Sequence, residues 1–230
     1  MKKLLILIVC LLFPSCVVSL SAQGEQYKLA KFTETMLVAP SSITDNGSAI
    51  SVNSTFLLTK PVWNDLSIAM SQIRPPASLA PTDMPYKGSH VAAFEKNATN
   101  VPYFSVQLPH SYKEGTNLEF YIHLAYPDNT AGNSIWYFTY SWANIGDEFP
   151  NPTLPPQVTI ASPTTTDRHQ LAEIVATIDG TGKEISSVIL CSIQRLGALG
   201  TDTYDNYIYL ISGDFYHQID TIGSRTELVK

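Results

Sequence analysis

The chain has 230 residues, of which 44% are apolar and only 15% are charged, and its net charge is −6. This length fits one sizeable β domain with a short arm, or two small domains, and the apolar fraction is sufficient for a packed core. An acidic chain lacks the surplus of cations that neutralises phosphates, so we expect no nucleic-acid partner. So low a charged fraction is typical of an exported or assembled β protein rather than a cytosolic helical enzyme.

Residues 1–22 have the three-part composition of a secretory signal. Lys2 and Lys3 precede an apolar run that is followed by small residues. The apolar run is too short to span a bilayer comfortably. We expect a signal peptide cleaved after Ser21 or Ala22, or a retained hydrophobic anchor. Cleavage removes two lysines and no acidic residue, which takes the net charge from −6 to −8.

Two of the three cysteines, Cys10 and Cys16, lie in this leader. A lipid anchor on Cys16 stays open as an alternative, although the residues before it form a poor lipobox. Cys191 would remain alone in the mature chain, so no intrachain disulfide is available. We predict that Cys191 is a small buried hydrophobic residue.

Residues 23–60 are rich in Ser, Thr and Asn and contain only short apolar runs. Asn46-Gly47 is a strong two-residue hairpin signal, so we expect a small hairpin or an extended N-terminal arm here. Asn46, Asn53 and Asn97 each begin an Asn-x-Ser/Thr sequon. These sites carry glycans if the chain is a eukaryotic secreted protein, and otherwise arise by chance.

The remaining residues, 61–230, are predicted to form the main domain. Apolar and aromatic residues alternate in a series of short segments. The strands predicted from them are 67–73, 90–95, 103–108, 120–126, 136–142, 158–160, 171–178, 185–194 and 207–220. Proline-rich segments at 75–85 and 150–167 are predicted to be loops, and no apolar 3.6-residue period persists. The pattern therefore predicts an all-β fold, an antiparallel β-sandwich of jelly-roll type.

The stretch Phe120–Trp142 is predicted to lie at the centre of this sandwich. Its two halves are aromatic and alternate with period two, and both faces of each half are largely apolar. Such strands are typically covered on both sides. The intervening residues 127–133 hold Pro, Asp, Asn and Gly, which favour a turn. We predict a hairpin between the two halves.

No recognisable catalytic motif is present: there is no nucleophile elbow, zinc-protease motif or cysteine–histidine pair. We therefore predict no enzymatic activity, no catalytic residues and no cofactor. The segment Gly180–Lys183 has the glycines and lysine of a phosphate loop, but Glu184 stands where Ser or Thr is required. A hairpin turn is the better prediction for it.

Histidine and aspartate residues near the end of the chain do not have the spacing of a metal site. Asp214, His217 and Asp220 are three positions apart, so successive members point to opposite faces of a strand and do not converge. His123 lies among Tyr121 and an alanine on a crowded face. We predict that it is a hydrogen-bonded core histidine rather than a ligand.

A calcium site is the one metal alternative left open by the sequence. Asp202, Asp205 and Asn206 lie in one predicted loop, and oxygen ligands from a loop suit Ca²⁺. The full spacing of a known calcium loop is absent, so we predict no metal-binding residues.

Four tyrosines near the last predicted strand are the candidate binding residues. They are Tyr204, Tyr207, Tyr209 and Tyr216. Tyr207 and Tyr209 share one face by alternation, and we expect Tyr216 on it if Gly213 introduces no bulge. These rings are expected to lie in the core or a subunit interface, or to form a stacking platform for a glycan.

Several segments of the chain resemble a family of uncharacterised virion proteins of tailed phages. The segments are PVWNDL at 61–66, SVQLPHSYKEGTNLEFYIHLAYP at 105–127, IWYFTYSWANIGDEFP at 135–150, GTGKEISSVILCSIQR at 180–195 and DTYDNYIYLISGDFYHQIDTIGSRTELVK at 202–230. The resemblance covers residues 61–230. It implies a jelly-roll-like structural or accessory protein of a capsid or tail, in an oligomer with other virion proteins.

Two features depart from that family pattern. The paired histidines of the family's central strand are reduced to His123, with Tyr121 at the first position, so a metal or pH role of the pair is not implied here. The leader is unusual for proteins assembled in the cytoplasm, and it predicts export to a virion or an extracellular surface.

Three functions follow as hypotheses. The first is a non-enzymatic virion subunit, such as a capsid decoration, spike or tail fibre, acting through homo-oligomeric assembly. The second is a secreted or surface bacterial subunit that polymerises into filaments by strand addition from its N-terminal arm. The third is a carbohydrate-binding β-sandwich, or a glycan hydrolase on the same scaffold, with a glycan as partner.

Overall fold

A computed structural model of the protein describes residues 27–32, 38–45, 48, 50–52, 57–69, 72–74, 76 and 78–229. The leader and the sequons at Asn46 and Asn53 lie outside these ranges. The chain divides into two compact units, the first ending at Phe56 and the second beginning at Leu57. Within the described ranges, no helix has the length and apolar character that a membrane span requires.

The first unit contains an antiparallel sheet. Its strands are β1 (Tyr27–Phe32), β2 (Val38–Asp45) and β3 (Ile50–Val52), in the order β1-β2-β3. Asp45 pairs with Ile50, so β2 and β3 enclose residues 46–49, where the hairpin signal occurs. Asn46 and Gly47 themselves lie outside the described residues.

The second unit carries the remaining strands. They are β4 (Leu57–Ala69), β5 (Thr82–Tyr86), β6 (Ser89–Phe94), β7 (Thr99–Asn100), β8 (Tyr103–Gln107), β9 (Leu118–Ala125), β10 (Asn133–Ala143), β11 (Val158–Ala161), β12 (Gln170–Ile178), β13 (Val188–Leu196) and β14 (Ile208–Thr221). Two sequence predictions were wrong here. β4 begins at Leu57 instead of Ser67, and β5 interrupts the predicted 75–85 loop as a short strand that pairs only with β6. Proline is tolerated in such an edge strand.

These strands form a six-stranded and a five-stranded antiparallel sheet, hereafter the first and second sheets. The first contains the order β12-β9-β14-β4, and the second β11-β10-β13-β8. From β8 onwards the chain crosses between the sheets at every connection except β10 to β11. This strand order is that of a jelly roll, which confirms the predicted antiparallel β-sandwich. β6 and β5 extend the first sheet, and β7 pairs with the end of β13.

The predicted hairpin between the two aromatic strands is wrong. β9 pairs with β12 and β14, whereas β10 pairs with β11 and β13, so the two strands belong to different sheets. They face each other across the core, where the Phe120 and Phe138 rings stack with centroids 4.4 Å apart. The inner faces of both strands are largely apolar, and stacking them across the core removes this surface from water.

Buried tryptophans from β10 combine apolar packing with satisfied hydrogen bonds. Trp136 is fully buried and donates its indole N–H to the Ser134 hydroxyl at 2.9 Å. Trp142 donates to the Ser187 hydroxyl at the same distance. Burying a large apolar side chain contributes about 1.5–3 kcal/mol, and the serines remove the cost of an unpaired donor.

An ion pair with no solvent exposure closes one end of the core. Asp202 accepts hydrogen bonds from Arg195 Nη2 at 2.8 Å and Arg195 Nε at 3.0 Å, and both side chains are 0% exposed. The other guanidinium protons go to the backbone carbonyls of Phe94, Tyr204 and Asn206. Lys96 brings a second cation within 3.5 Å of Asp202. Arg195 and Lys96 therefore already pair with the Asp202 carboxylate. Asp202 has a structural role here, which corrects the alternative that it is a calcium ligand.

The last strand, β14, organises the first sheet. Along one edge it pairs with β9, and along the other it pairs first with β6, at Ile208–Leu210, and then with β4, from Ser212 onwards. β6 and β4 therefore diverge at Ile211, and the sheet forks there. β14 continues through Gly213 without a break or a bulge at that residue. Gly213 leaves room for the Phe120 ring, which would lie 3.1 Å from an added Cβ.

Candidate binding face and cleft

Four strands of the first sheet present a polar surface to solvent, hereafter the outer face. In β9, Phe120, Ile122 and Leu124 point into the core, so the alternate residues point outward. Register then places neighbours from β4, β12 and β14 on the same side. The polar residues of the outer face are Asp65, Ser67, Glu119, Tyr121, His123, Glu173, Ser212, Asp214 and Tyr216.

A bulge in β14 decides which tyrosines share this face. Tyr209 and Tyr216 are an odd number of positions apart, so an unbroken strand would put them on opposite sides. A register shift between Leu210 and Ser212 adds one residue and brings both tyrosines outward. The expectation that Tyr216 shares the face of Tyr209 if Gly213 introduces no bulge gave the right face, but for a different reason, because the bulge between Leu210 and Ser212 is what unites the two rings.

Tyr121 lies between two carboxylates. Its hydroxyl is 3.2 Å from Glu119 Oε2 and 3.1 Å from Glu173 Oε1. Burial, together with the neighbouring Glu173 and Glu119, raises the pKa of Tyr121 to about 12, and burial is the largest cause. The phenol therefore stays protonated at neutral pH and serves as a hydrogen-bond donor.

Asp214 and two histidines form a hydrogen-bonded chain beside Tyr121. His123 Nε2 contacts Asp214 Oδ2, and His123 Nδ1 lies 2.6 Å from His169 Nε2. His123 is thus hydrogen-bonded as predicted, but it lies partly exposed on the outer face rather than in the core. Asp214 is 5% exposed, and its other oxygen, Oδ1, is buried without a hydrogen-bond partner.

Tyr216 completes the aromatic part of the outer face. Its ring stands edge-on to Tyr121 with centroids 5.0 Å apart and an interplanar angle of 86°. Burial raises the pKa of Tyr216, and the carboxylates of Asp65 and Asp214 add to the effect. Both tyrosines are half-buried, so part of each ring remains available to a ligand.

A cleft of about 770 Å³ opens where β4 and β6 diverge from each other beside Ile211 of β14. Its wall is shared by β4, β5, β6 and β14. The lining residues are Ser67, Ala69, Ile73, Pro81, Asp83, Tyr86, Lys87, Ser89, His90, Val91, Ala92, Ile211 and Ser212. Ser67 and Ser212 belong to both the cleft and the outer face, so the two surfaces are continuous. The volume is typical of ligand pockets.

Tyr86 and Tyr209 provide a second pair of rings at this cleft. Their centroids are 4.9 Å apart. Burial raises the pKa of Tyr86, and a hydrogen bond to Asp167 adds to the effect. Lys87 Nζ lies 2.7 Å from Asp167 Oδ2, so the lysine at the cleft is already paired with an acid.

The candidate tyrosines predicted from sequence are not one platform. Tyr204 is 0% exposed, packs edge-on to Tyr126 and hydrogen-bonds Asp128, so of the expected alternatives it is a core residue and not a stacking or interface residue. Tyr207 is 37% exposed and precedes the first residue of β14. Tyr209 and Tyr216 are the two that lie on the outer face.

The other predicted positions lie away from the outer face. Asn97 is exposed in a turn between β6 and β7, with a positive φ of 63°. Gly180 to Lys183 form a turn, closed by a 2.9 Å hydrogen bond from Lys183 N to Gly180 O. This turn joins β12 to β13 in the other sheet, so it is not a hairpin. Lys183 donates its ammonium to the Trp142 carbonyl.

Asp214 and His217 point to opposite sides of β14, as their spacing predicted. In the described ranges, no group of three or more His, Cys, Asp or Glu side chains is arranged to hold a metal ion. His123 reaches Asp214 and His169 through different ring nitrogens, so these three side chains do not converge on one point.

Sequence reasoning missed the acidic half of the outer face. Glu119 and Glu173 belong to strands that are distant in the chain and become neighbours only through the β9–β12 pairing. The alternation of Glu119, Tyr121 and His123 with buried apolar residues was a signal for an outward polar row. The sequence of β12, the strand that supplies Glu173, carries no such signal.

No family model matches the sequence, and no curated protein matches it. Among solved structures, the CBM22-2 xylan-binding domain from Paenibacillus barcinonensis is 10% identical, with a TM-score of 0.37, covering 66% of this chain and 98% of that one. The CBM22-1–GH10 modules of a Clostridium thermocellum endo-1,4-β-D-xylanase, complexed with xylohexaose, are also 10% identical, with a TM-score of 0.37 and coverage of 69% and 28%. An exo-β-1,3-galactanase from Phanerochaete chrysosporium is 11% identical, with a TM-score of 0.35 and coverage of 82% and 36%. This chain thus spans about a third or less of the two enzymes.

Proposed function

We propose that this protein binds a saccharide on the outer face and in the adjoining cleft, as a binding protein rather than an enzyme. The observation that carries the proposal is the continuity of the two surfaces. Tyr86 lines the cleft of about 770 Å³ and packs against Tyr209, while Tyr121 and Tyr216 pack together on the outer face. Ser67 and Ser212 belong to both surfaces.

The chemistry of these side chains suits a sugar. The C–H face of a sugar ring is apolar and packs on an aromatic ring, while its hydroxyls require fixed donors and acceptors. Tyr121 and Tyr216 offer ring surface. Glu173, Asp83 and His90 offer exposed hydrogen-bonding groups within the same connected surface.

The test is binding of a panel of soluble oligosaccharides, measured by isothermal titration calorimetry. We expect at least one neutral or cationic oligosaccharide to bind the full chain. Tyr216→Ala and Tyr86→Ala should each weaken that binding about tenfold, because each removes one ring from its pair. Tyr103→Ala is the matched control, since Tyr103 is 50% exposed on the second sheet. Equal losses in all three variants, or no binding by the wild type, would contradict the proposal.

A second candidate function is assembly into a homo-oligomer as a structural subunit. In the described residues, β4 pairs along one edge only, with β14. Leu57, Val62 and Trp63 on this strand are 63%, 46% and 53% exposed. A long edge strand with exposed apolar side chains is a template for pairing with another chain, here a second copy of β4, although Lys60 and Pro61 lie within this strand. The molar mass in solution tests this function, and a monomer at high concentration would exclude it.

A further inference from the structure

The outer face has more hydrogen-bond acceptors than donors. Tyr121 has one hydroxyl proton, yet its oxygen lies within 3.2 Å of carboxylate oxygens from both Glu119 and Glu173. The proton satisfies one of these oxygens and leaves the other facing a lone pair. An additional donor between the two carboxylates would relieve this repulsion.

Asp214 adds an independent and stronger sign of a missing donor. It is 95% buried, since only 5% of its surface is exposed, and its Oδ1 has no hydrogen-bond partner. A buried carboxylate oxygen without a partner is costly. Register places Asp214 directly beside Tyr121, so its carboxyl group adds a third acid next to the two glutamates.

The charge of this patch is one-sided. The ionisable residues that face outward around Asp214 are Asp65, Glu119, Tyr121, His123, Glu173 and Tyr216, with His169 at the end of the histidine chain. None of these residues is lysine or arginine. An anionic sugar would therefore meet repulsion here, whereas a cation would be attracted.

We propose that the saccharide carries a primary ammonium group, as a 2-amino-2-deoxy sugar does, and that this group binds between Glu119 and Glu173 next to Asp214. This inference rests on the proposed function and names its ligand class. An ammonium supplies three donors and a positive charge, which match the acceptor excess. Hydrogen bonds between charged partners are about twice as strong as neutral ones.

Three tetrasaccharides with the same β-1,4 backbone test the inference. They differ only at C2, which carries an amine in the glucosamine tetramer, an acetamide in the N-acetylglucosamine tetramer and a hydroxyl in cellotetraose. Titration calorimetry of the full chain, slightly below neutral pH, should show the amine form binding at least about tenfold more tightly than the other two. Raising the salt concentration should reduce this preference.

Matched variants identify the groups responsible. Glu119→Gln combined with Glu173→Gln should remove the preference for the amine while preserving side-chain shape. Glu148→Gln changes the net charge on an exposed loop elsewhere and should leave the preference intact. A preference lowered equally by Glu148→Gln would reveal non-specific attraction and overturn the inference.

The remaining outcomes separate this inference from the proposed function. Equal affinity for the three tetrasaccharides overturns the ammonium site and leaves saccharide binding in place. The same conclusion follows if none of the three binds but another neutral oligosaccharide does. Absence of binding to every saccharide overturns both.

Discussion

Asp214 and His217 are close in the sequence, but β14 places them in opposite environments. Asp214 joins the outer face, whereas His217 is 1% exposed within the sandwich, with its ring 6.3 Å from that of Tyr112. Neither ring nitrogen of His217 makes a well-formed hydrogen bond, and a weaker interaction with the Phe215 backbone offsets only part of the effect of burial. A buried imidazole of this kind is stable only as the neutral form, because its charge would not be solvated.

His217 makes the domain sensitive to mild acid. Burial lowers the pKa of His217 below its ordinary value of 6.5. The unfolded chain therefore binds more protons than the folded one as the pH falls below 6.5, so the free energy of unfolding decreases in that range. His217→Leu should flatten this dependence, as measured by urea denaturation between about pH 5 and 7.

His90→Gln provides the control, because His90 is exposed on β6. It should leave the slope of stability against pH unchanged. A wild-type stability that stays constant over this range would show that His217 does not govern the acid response.

At the scale of single elements, the connection between β12 and β13 depends on close backbone approach. Gly180 lies against the segment before β9, and an added Cβ would overlap the Thr116 carbonyl oxygen and crowd the Tyr112 hydroxyl. Tyr112 itself donates to this carbonyl. The turn therefore needs a residue without a side chain for steric reasons.

Gly180→Ala should lower the free energy of unfolding by about 1–3 kcal/mol, because backbone must move to accept the methyl group. Gly200→Ala is the matched control, since no atom lies within 4 Å of its added Cβ. Urea denaturation of both variants measures the difference. Similar stabilities for the two variants would mean that the turn adapts without cost.

Most strands of the main domain were predictable, but their pairing was not. Alternation identified β6, β8, β11 and β12 closely, because the period of two depends on which side of each strand is buried. It carries no information about the neighbouring strand. The sequence consequently predicts a hairpin between the aromatic runs of β9 and β10, whereas the two strands lie in opposite sheets.

The candidate site was predictable only in part for the same reason. Tyr209 and Tyr216 were recognised by residue type, and His123 as a hydrogen-bonded histidine. The bulge near Ile211 and the meeting of Glu173 with Tyr121 depend on register, which the sequence of one strand does not contain. The sequence left open whether Tyr204 is a core, interface or stacking residue, and the structure places it in the buried cluster around Arg195.

At the scale of the whole molecule, the proposed association concerns β4, which among the described residues has one unpaired edge. Trp63 is the largest exposed apolar side chain on it. If two copies pair along β4, Trp63→Glu should convert dimers or larger species to monomers, since paired strands would place added charge at the interface. Light scattering after size exclusion measures the mass, with Leu190→Glu on the second sheet as the control. An unchanged mass for Trp63→Glu would locate the interface elsewhere.

β14 is the final strand in chain order, yet β4, β6 and β9 all bond to it. During translation, these three earlier strands leave the ribosome before their shared partner has been made. Their open edges must be kept apart until residues 208–221 emerge. The first sheet consequently closes in a late step that joins distant parts of the chain, and such non-local pairing is slow.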